Sequence, residues 1–295
     1  MSKFAFSLPT FLFVAALTMN AADGVQVIRD LVFLGADRTE KLDLYLPHDK
    51  ADDGRRRPAI LIVHGGGWHG GGKSAPREKN IGNQLAQAGF VCASVNYVLA
   101  DRKERFTDNL RQVWPRNLQE CMAGVRWLRA NSEKYRIDSE HIGAIGGSAG
   151  GHLVAMLAFA DAADGLDGVG LHPGHSSRLQ AVVPMYGVHD LIAHAVDRDL
   201  LTGMSDADRK LCRSASPVTY IDKDDPPALI LHGTKDRLVP VRQSTLLHAA
   251  LQQAGVASQL VVIPNAPHSF HLQPKQRDLR ETVIGFFNRH LRPSL

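Results

Sequence analysis

Hydrophobic and polar residues follow two different patterns along this chain. Residues 26–34 and 41–46 alternate apolar with polar positions, as half-buried antiparallel strands do. Later segments are almost continuously apolar, which is typical of strands covered by helices on both faces; they lie at residues 59–63, 90–93, 181–183 and 228–231. Residues 142–145 and 260–263 complete a predicted set of about eight strands.

Helical patterns separate these strands. Residues 116–130 carry apolar side chains on one helical face, and residues 242–254 and 278–291 behave similarly. Strands and helices that alternate through short connections predict an α/β fold, a mostly parallel eight-stranded sheet with helices on both faces. Two polar segments, 161–178 and 188–220, interrupt the alternation, and we expect them to be insertions over the active site.

The composition excludes several classes of protein. Of 295 residues, 44% are hydrophobic and 22% are charged, which is close to the average for a soluble globular protein. The net charge of +4 is small and dispersed, so no nucleic-acid partner is predicted. Three cysteines, Cys92, Cys121 and Cys212, show no metal-ligand spacing, so neither a disulfide framework nor a metal site is expected.

The first 22 residues resemble an export signal. Lys3 gives a positive start, residues 4–17 are mostly apolar, and residues 18–22 offer small side chains for cleavage after Ala21 or Ala22. A helix over the apolar stretch would rise about 21 Å, short of a ~30 Å bilayer core. We therefore expect residues 23–295 to form one catalytic domain, periplasmic or secreted, with no membrane span after cleavage. The oligomeric state stays open.

A candidate nucleophile follows the strand at 142–145. Residues 146–150 read Gly-Gly-Ser-Ala-Gly, a G-x-S-x-G match directly before a helical run. A serine on so sharp a turn needs strained backbone angles, and small flanking residues remove the clashes that would forbid them. Ser148 is the predicted nucleophile.

A second glycine-rich segment follows the strand at 59–63. Residues 64–68 read His-Gly-Gly-Gly-Trp, and backbone amides in such a loop can stabilise the oxyanion of a tetrahedral intermediate. Gly66, Gly67 and Ala149 are the expected donors, with the Trp68 amide as a substitute. His64 is expected to brace the loop rather than to take part in chemistry.

One competing motif overlaps this loop. Residues 67–74 satisfy the phosphate-loop pattern G-x-x-x-x-G-K-[ST], with Lys73 as its lysine. No strand ends in a magnesium-binding aspartate of the expected kind, because Leu231 is followed by His232-Gly233-Thr234 before Asp236. A phosphate-loop nucleotide-binding protein is therefore kept only as an alternative.

A base and an orienting acid are expected at two further strand ends. Asp236 follows the strand at 228–231, and His268 follows the strand at 260–263. Loops at the carboxyl ends of parallel strands converge on one crevice, and the order Ser148, Asp236, His268 is that of the α/β-hydrolases. His271 is the rival base.

These motifs together resemble the hormone-sensitive-lipase-like esterases of the α/β-hydrolase fold, and most closely the bacterial feruloyl and acetyl (xylan) esterases. The resemblance runs from about residue 25 to the end, and its supporting stretches are 64–68, 94–97, 125–131, 146–153, 215–217, 225–240 and 267–268. Val98 stands where such proteins often have arginine, and Glu120 where aspartate is more usual. Both departures affect the substrate assignment more than the triad.

The resemblance implies a serine carboxylester hydrolase that forms an acyl-enzyme and needs no metal or organic cofactor. Its implied substrate is a short acyl (acetyl) or feruloyl ester on a small molecule or a plant-type polysaccharide, with Trp68 and Tyr97 in substrate binding. A serine peptidase of the same fold and a catalytically silent binding protein remain alternatives.

Overall fold

The computed structural model describes residues 17–20, 24–47, 54–101, 105–161, 164–168 and 171–292. Most of the predicted export signal lies outside the described residues. The exception is a four-residue strand, Leu17–Asn20, which pairs antiparallel with the next strand. None of the described helices is both long enough and apolar enough to span a membrane.

A single sheet runs through the described part of the chain. Its strands are β1 (Leu17–Asn20), β2 (Val25–Val32), β3 (Lys41–Pro47), β4 (Arg57–Val63), β5 (Val91–Val95), β6 (Ile137–Gly147), β7 (Ala181–Met185), β8 (Ala228–Gly233) and β9 (Ser258–Ile263). Their spatial order is β1-β2-β3-β5-β4-β6-β7-β8-β9. The pairings β2–β3 and β3–β5 are antiparallel, and every pairing from β5 to β9 is parallel. All eight strands predicted from the sequence are confirmed.

Helices connect and cover these strands. They are α1 (Pro76–Gln87), α2 (Phe106–Val113), α3 (Arg116–Ala130), α4 (Ser132–Tyr135), α5 (Ala149–Phe159), α6 (Leu191–Asp197), α7 (Asp206–Ser214), α8 (Arg242–Gln253) and α9 (Arg280–Leu291). The predicted helix at 116–130 has the expected bounds.

The core lies on both faces of the sheet. Along β4, Leu61 and Val63 pack into the cluster that contains α3 and α5, whereas Ile60 and Ile62 pack into the cluster that contains α1 and α9. Side chains of a strand alternate between faces, so a strand buried on both sides is apolar throughout. This explains why β4 appears in the sequence as an unbroken apolar run.

The segment 161–178 does not lie over the carboxyl edge of the sheet, as its sequence had suggested. Helix α5 starts at the carboxyl end of β6 and runs back along the sheet, so the chain after Phe159 emerges at the amino edge. There Arg126 donates to Asp167 (2.6 Å), and Arg129 donates to the carbonyls of Ser176 (2.6 Å) and Arg178 (2.8 Å). The prediction that this insertion covers the active site is wrong.

The segment 188–220 starts at the carboxyl edge of the sheet. It follows the carboxyl end of β7 and carries α6 and α7. Val188 and His194 line a cavity that also contains Ser148. This second insertion therefore shapes the site.

Candidate active site

Ser148 occupies a strained turn between β6 and α5. Its backbone angles are φ 59° and ψ −122°, and its amide donates to the carbonyl of Met185 (2.9 Å). The turn is tightly packed, because a Cβ on Gly150 would lie 2.1 Å from the carbonyl oxygen of Val63. Gly150, two residues after the serine, is thus required for the sharp turn that exposes the hydroxyl.

Three side chains from three loops form one hydrogen-bonded chain. Asp236 Oδ2 lies 2.6 Å from His268 Nδ1, and His268 Nε2 lies 2.9 Å from Ser148 Oγ. A ring that donates from Nδ1 to the carboxylate has its Nε2 lone pair free for the serine hydroxyl. The structure brings together the three residues selected from the sequence, in the geometry of a general base next to a nucleophile.

His271, the rival base, lies elsewhere. Its Nδ1 accepts a hydrogen bond from the backbone amide of Gln273 (2.9 Å). Its ring therefore stabilises its own loop, and the imidazole next to Ser148 is that of His268.

The Asp236 carboxylate is held by more than His268. Its Oδ1 accepts the amides of Leu238 (2.9 Å) and Val239 (2.8 Å), and His232 Nε2 lies 3.3 Å from its Oδ2. Burial alone would raise the pKa of Asp236, but the hydrogen bonds from His232, His268 and Val239 outweigh it and hold that pKa well below the ordinary range. The acid stays ionised and fixed in orientation.

Tyr186 was not identified from the sequence, yet it supports the base. Its ring is edge-on to His268 with 4.9 Å between centroids, and its hydroxyl donates to the carbonyl of Phe270 (2.6 Å). Arg77 donates to the same hydroxyl (3.2 Å). The tyrosine lies just after a buried strand, at β7's end, and that position was the only signal available in the sequence.

The glycine loop after β4 forms one wall of the cavity. Gly66, Gly67 and Ala149 line the cavity next to Ser148. Gly66 has φ 121°, and a Cβ there would lie 2.1 Å from the carbonyl oxygen of Gly70. The three predicted oxyanion residues therefore lie where their backbone can approach a bound ester.

His64 and Tyr97 lie behind this loop. The two rings stack with centroids 4.2 Å apart, and the Tyr97 hydroxyl donates to the His64 carbonyl (2.8 Å). Burial lowers the pKa of His64 to about 4, so its imidazole is neutral. Tyr97 is 2% exposed and does not line the cavity, so its predicted role in substrate binding is wrong. It braces the loop instead.

Trp68 does border the cavity. Its indole nitrogen donates to His152 Nδ1 (3.3 Å), and His152 Nε2 is 2.7 Å from the carbonyl of Ala215. Because its only donor is already used, Trp68 offers an apolar surface to a ligand.

Lys73 excludes the phosphate-loop alternative. Its ammonium is buried between Asp43 (2.5 Å) and Asp30 (2.8 Å), and Ser74 Oγ donates to Asp43 (2.8 Å). A lysine neutralised by two carboxylates has no charge left to bind phosphate. The lysine of the motif at 67–74 thus forms structural ion pairs.

The cavity that contains Ser148 has a volume of about 620 Å³. Polar and apolar side chains both contribute to it, including His69, Arg77, Phe106, Asn109, Val188, His194, Leu238 and Val239. A cavity of this size accommodates a small ligand or one end of a polymer.

The sequence is similar to known esterases. The family model named BD-FAE matches residues 42–251. Esterase LipQ of Mycobacterium tuberculosis (strain ATCC 25618 / H37Rv) is 32% identical over 272 residues, which cover 87% of this chain and 61% of LipQ. Probable carboxylic ester hydrolase LipM of the same strain is 30% identical over 72% of this chain and 49% of its own length. The chain thus spans about half to three fifths of these curated relatives.

Two solved structures match this chain over a larger share of their own length. A truncated form of a carbohydrate esterase from gut microbiota has a TM-score of 0.77 and 26% identity, covering 92% of this chain and 98% of its own. The Est2 esterase of Thermogutta terrifontis, with butyrate bound, has a TM-score of 0.72 and 25% identity, covering 92% of this chain and 97% of its own.

Proposed function

This chain belongs to the BD-FAE family, as the sequence resemblance indicated, and on that basis we propose that it is a serine carboxylester hydrolase. The observation that carries the proposal is the hydrogen-bonded chain from Asp236 through His268 to Ser148, at a strained strand-to-helix turn. The esterase names of its relatives support it.

The proposed reaction has two halves. Ser148 Oγ attacks the ester carbonyl carbon as its proton passes to His268 Nε2, and His268 then protonates the departing alkoxide to give the alcohol. The acyl group remains on Ser148. Water attacks this acyl-enzyme, with His268 again as the base, and releases the carboxylic acid.

The remaining residues stabilise charge in this scheme. Asp236 holds the Nδ1 proton of His268 and stabilises the imidazolium that forms. Backbone amides of Gly66, Gly67 and Ala149 donate to the oxyanion, which carries its full charge only after attack. Donors that are already in place need no reorganisation during the reaction.

We further propose that the substrate is a short-chain ester of a carbohydrate, with acetyl esters preferred and feruloyl esters next. The polar side chain of His194 borders the cavity and its Nδ1 has no hydrogen-bond partner among the described residues, and burying an unpaired polar group against a fatty chain is costly. The carbohydrate esterase and the butyrate-bound Est2 among the structural relatives fit a short acyl group on a sugar.

Export is also part of the proposal. The charge and apolar pattern of residues 1–22 supports a signal cleaved after Ala21 or Ala22, which would leave a periplasmic or secreted enzyme.

A panel of esters tests the function. We expect kcat/KM for p-nitrophenyl esters to be highest at acetyl and to fall steeply beyond about four carbons, with release of acetate from acetylated xylan or pectin and turnover of methyl ferulate. A maximum at eight carbons or longer would overturn the substrate assignment. Absence of hydrolysis of every ester would overturn the proposed function itself.

A further inference from the structure

The cavity contains polar side chains that the proposed triad chemistry does not use. His194 of α6 and Asn109 of α2 line it together with Phe106. His194 is 8% exposed and Asn109 is 2% exposed, so both are almost enclosed. Polar side chains enclosed in a substrate cavity are candidates for binding polar groups of the substrate.

One ring nitrogen of His194 lacks a hydrogen-bond partner among the described residues. Its Nδ1 is buried and unsatisfied, and its ring lies edge-on to Phe106 with 5.9 Å between centroids. A buried polar atom without a partner is unfavourable, so a ligand that completes its hydrogen bonds gains affinity.

The protonation state of His194 defines the ligand chemistry. Burial, together with the nearby charge of Arg198, lowers the pKa of His194 to about 4. A neutral imidazole has one donor and one acceptor nitrogen. A hydroxyl group, which also donates and accepts, matches it, whereas an aliphatic chain does not.

The helix that carries His194 is fixed to the loop that carries Asp236. Arg198 donates to the carbonyl of Leu238 (2.7 Å), and Asp197 pairs with Arg242 (3.0 Å). These contacts tie α6 to the chain on either side of Val239, which itself donates to the Asp236 carboxylate. His194 is thus held at a defined position relative to the triad.

We infer that His194 binds a hydroxyl group of the ester substrate and so favours hydroxylated esters over plain ones. The inference rests on the proposed function. An acetyl group has no hydroxyl, so in an acetyl ester the hydroxyl that binds His194 belongs to the sugar. In a feruloyl ester it is the phenolic hydroxyl of the acyl group. In both cases the group that binds His194 is a hydroxyl.

Two substrate pairs distinguish these sources. The first is an acetylated xylose against p-nitrophenyl acetate, and the second is methyl ferulate against methyl 3-methoxycinnamate, which lacks only the phenolic hydroxyl. For each pair, the ratio of kcat/KM is measured in the wild type, His194→Leu, His194→Gln and His175→Leu. His175 is an exposed histidine at the amino edge of the sheet and is the matched control.

In His194→Leu the ratio of hydroxylated to plain ester falls about 10-fold in one pair, and that pair identifies the source of the hydroxyl. His194→Gln, which keeps a donor and an acceptor, retains most of the ratio, and His175→Leu keeps the wild-type values. The inference is overturned by either of two results for His194→Leu. In the first, both ratios of kcat/KM stay within twofold of the wild-type ratios; in the second, kcat/KM falls equally for the two members of each pair. A wild type that hydrolyses none of these esters would instead refute the proposed function.

If His194→Leu does not fold, the wild type still provides a test. Singly deoxygenated analogues of the acetylated xylose, and methyl 3-methoxycinnamate in place of methyl ferulate, remove one hydroxyl at a time. At least one analogue loses about 10-fold in kcat/KM, and equal values for all of them contradict the inference.

Discussion

The Tyr186 ring meets the imidazole of His268 edge-on, with 4.9 Å between centroids, and its hydroxyl donates to the carbonyl of Phe270, two residues beyond that histidine. One side chain thus contacts both the base and the loop that carries it. Tyr186 also has φ 37°, which is unusual for a bulky residue, so the surrounding packing must hold it there.

Tyr186→Phe tests this support. Without the hydroxyl, the Phe270 carbonyl and Arg77 each lose a partner, and His268 is less well oriented toward Ser148. We expect kcat to fall roughly 10-fold with KM nearly unchanged, measured by steady-state hydrolysis of p-nitrophenyl acetate.

Tyr220→Phe is the matched control, because Tyr220 also donates to a backbone carbonyl, that of Ser214 (2.7 Å), but does not line the cavity. It should keep wild-type kcat. Equal losses in the two variants would mean that Tyr186 has only a structural role.

Substitution of His268 should affect activity far more than substitution of its neighbour His271. His268→Ala removes the imidazole that lies 2.9 Å from Ser148 Oγ, so activity should be abolished. His271→Ala removes only an acceptor for the Gln273 amide and should keep most of the activity. Both variants are compared after circular dichroism shows that they are folded, and the reverse result would assign the base to His271.

Asp236 should make stability depend on pH. Its pKa is depressed in the folded protein, so its contribution to the free energy of unfolding is present above the ordinary pKa of about 3.9 and is lost as the pH falls below it. Asp236→Asn should therefore lower the Tm at pH 7, and the gap to wild type should narrow on acidification toward pH 3.

Thermal unfolding of both proteins between pH 7 and pH 3 measures this gap. Asp37→Asn, at an exposed position, is the control and should follow the wild type throughout. A gap that is constant or widens at low pH would show that the Asp236 carboxylate is not stabilised in the fold.

Lys73 should matter for stability and not for turnover. Lys73→Ala leaves the buried carboxylate of Asp43 without its main counter-charge, which should cost about 3–5 kcal/mol of unfolding free energy. Esterase activity of the folded variant should stay close to wild type, and Lys79→Ala, on the exposed side of α1, should change neither quantity. Loss of activity in folded Lys73→Ala would revive a functional role for the loop at 67–74.

The sheet and the candidate triad could be predicted because each depends on local signals. Buried strands appear as apolar runs, and in a parallel sheet their carboxyl ends converge, so Ser148, Asp236 and His268 were expected to meet. Whether segment 161–178 lies at the amino or the carboxyl edge of the sheet depends on the direction of α5. The polar composition of the segment does not reveal that direction. Because α5 starts at the carboxyl end of β6 and runs back along the sheet, the segment that follows it lies at the amino edge.

The supporting residues were harder to predict for a different reason. Tyr186 and Tyr97 act through contacts with partners far away in the sequence, Phe270 and His64 respectively. Neither periodicity nor motif spacing carries that information. A tyrosine next to a motif looks the same whether it faces the cavity or the back of a loop, which is why Tyr97 was assigned to substrate binding.

The turnover of Ser148→Ala is the most direct test of the central claim, that Ser148 is the nucleophile of an ester hydrolase. The variant removes one oxygen atom from a triad that works as a unit, so kcat for p-nitrophenyl acetate should fall by roughly 10⁴ to 10⁶ while the Tm stays near that of wild type. Ser177→Ala, at the opposite edge of the sheet, should keep full activity. Turnover by Ser148→Ala comparable to that of wild type would contradict the account.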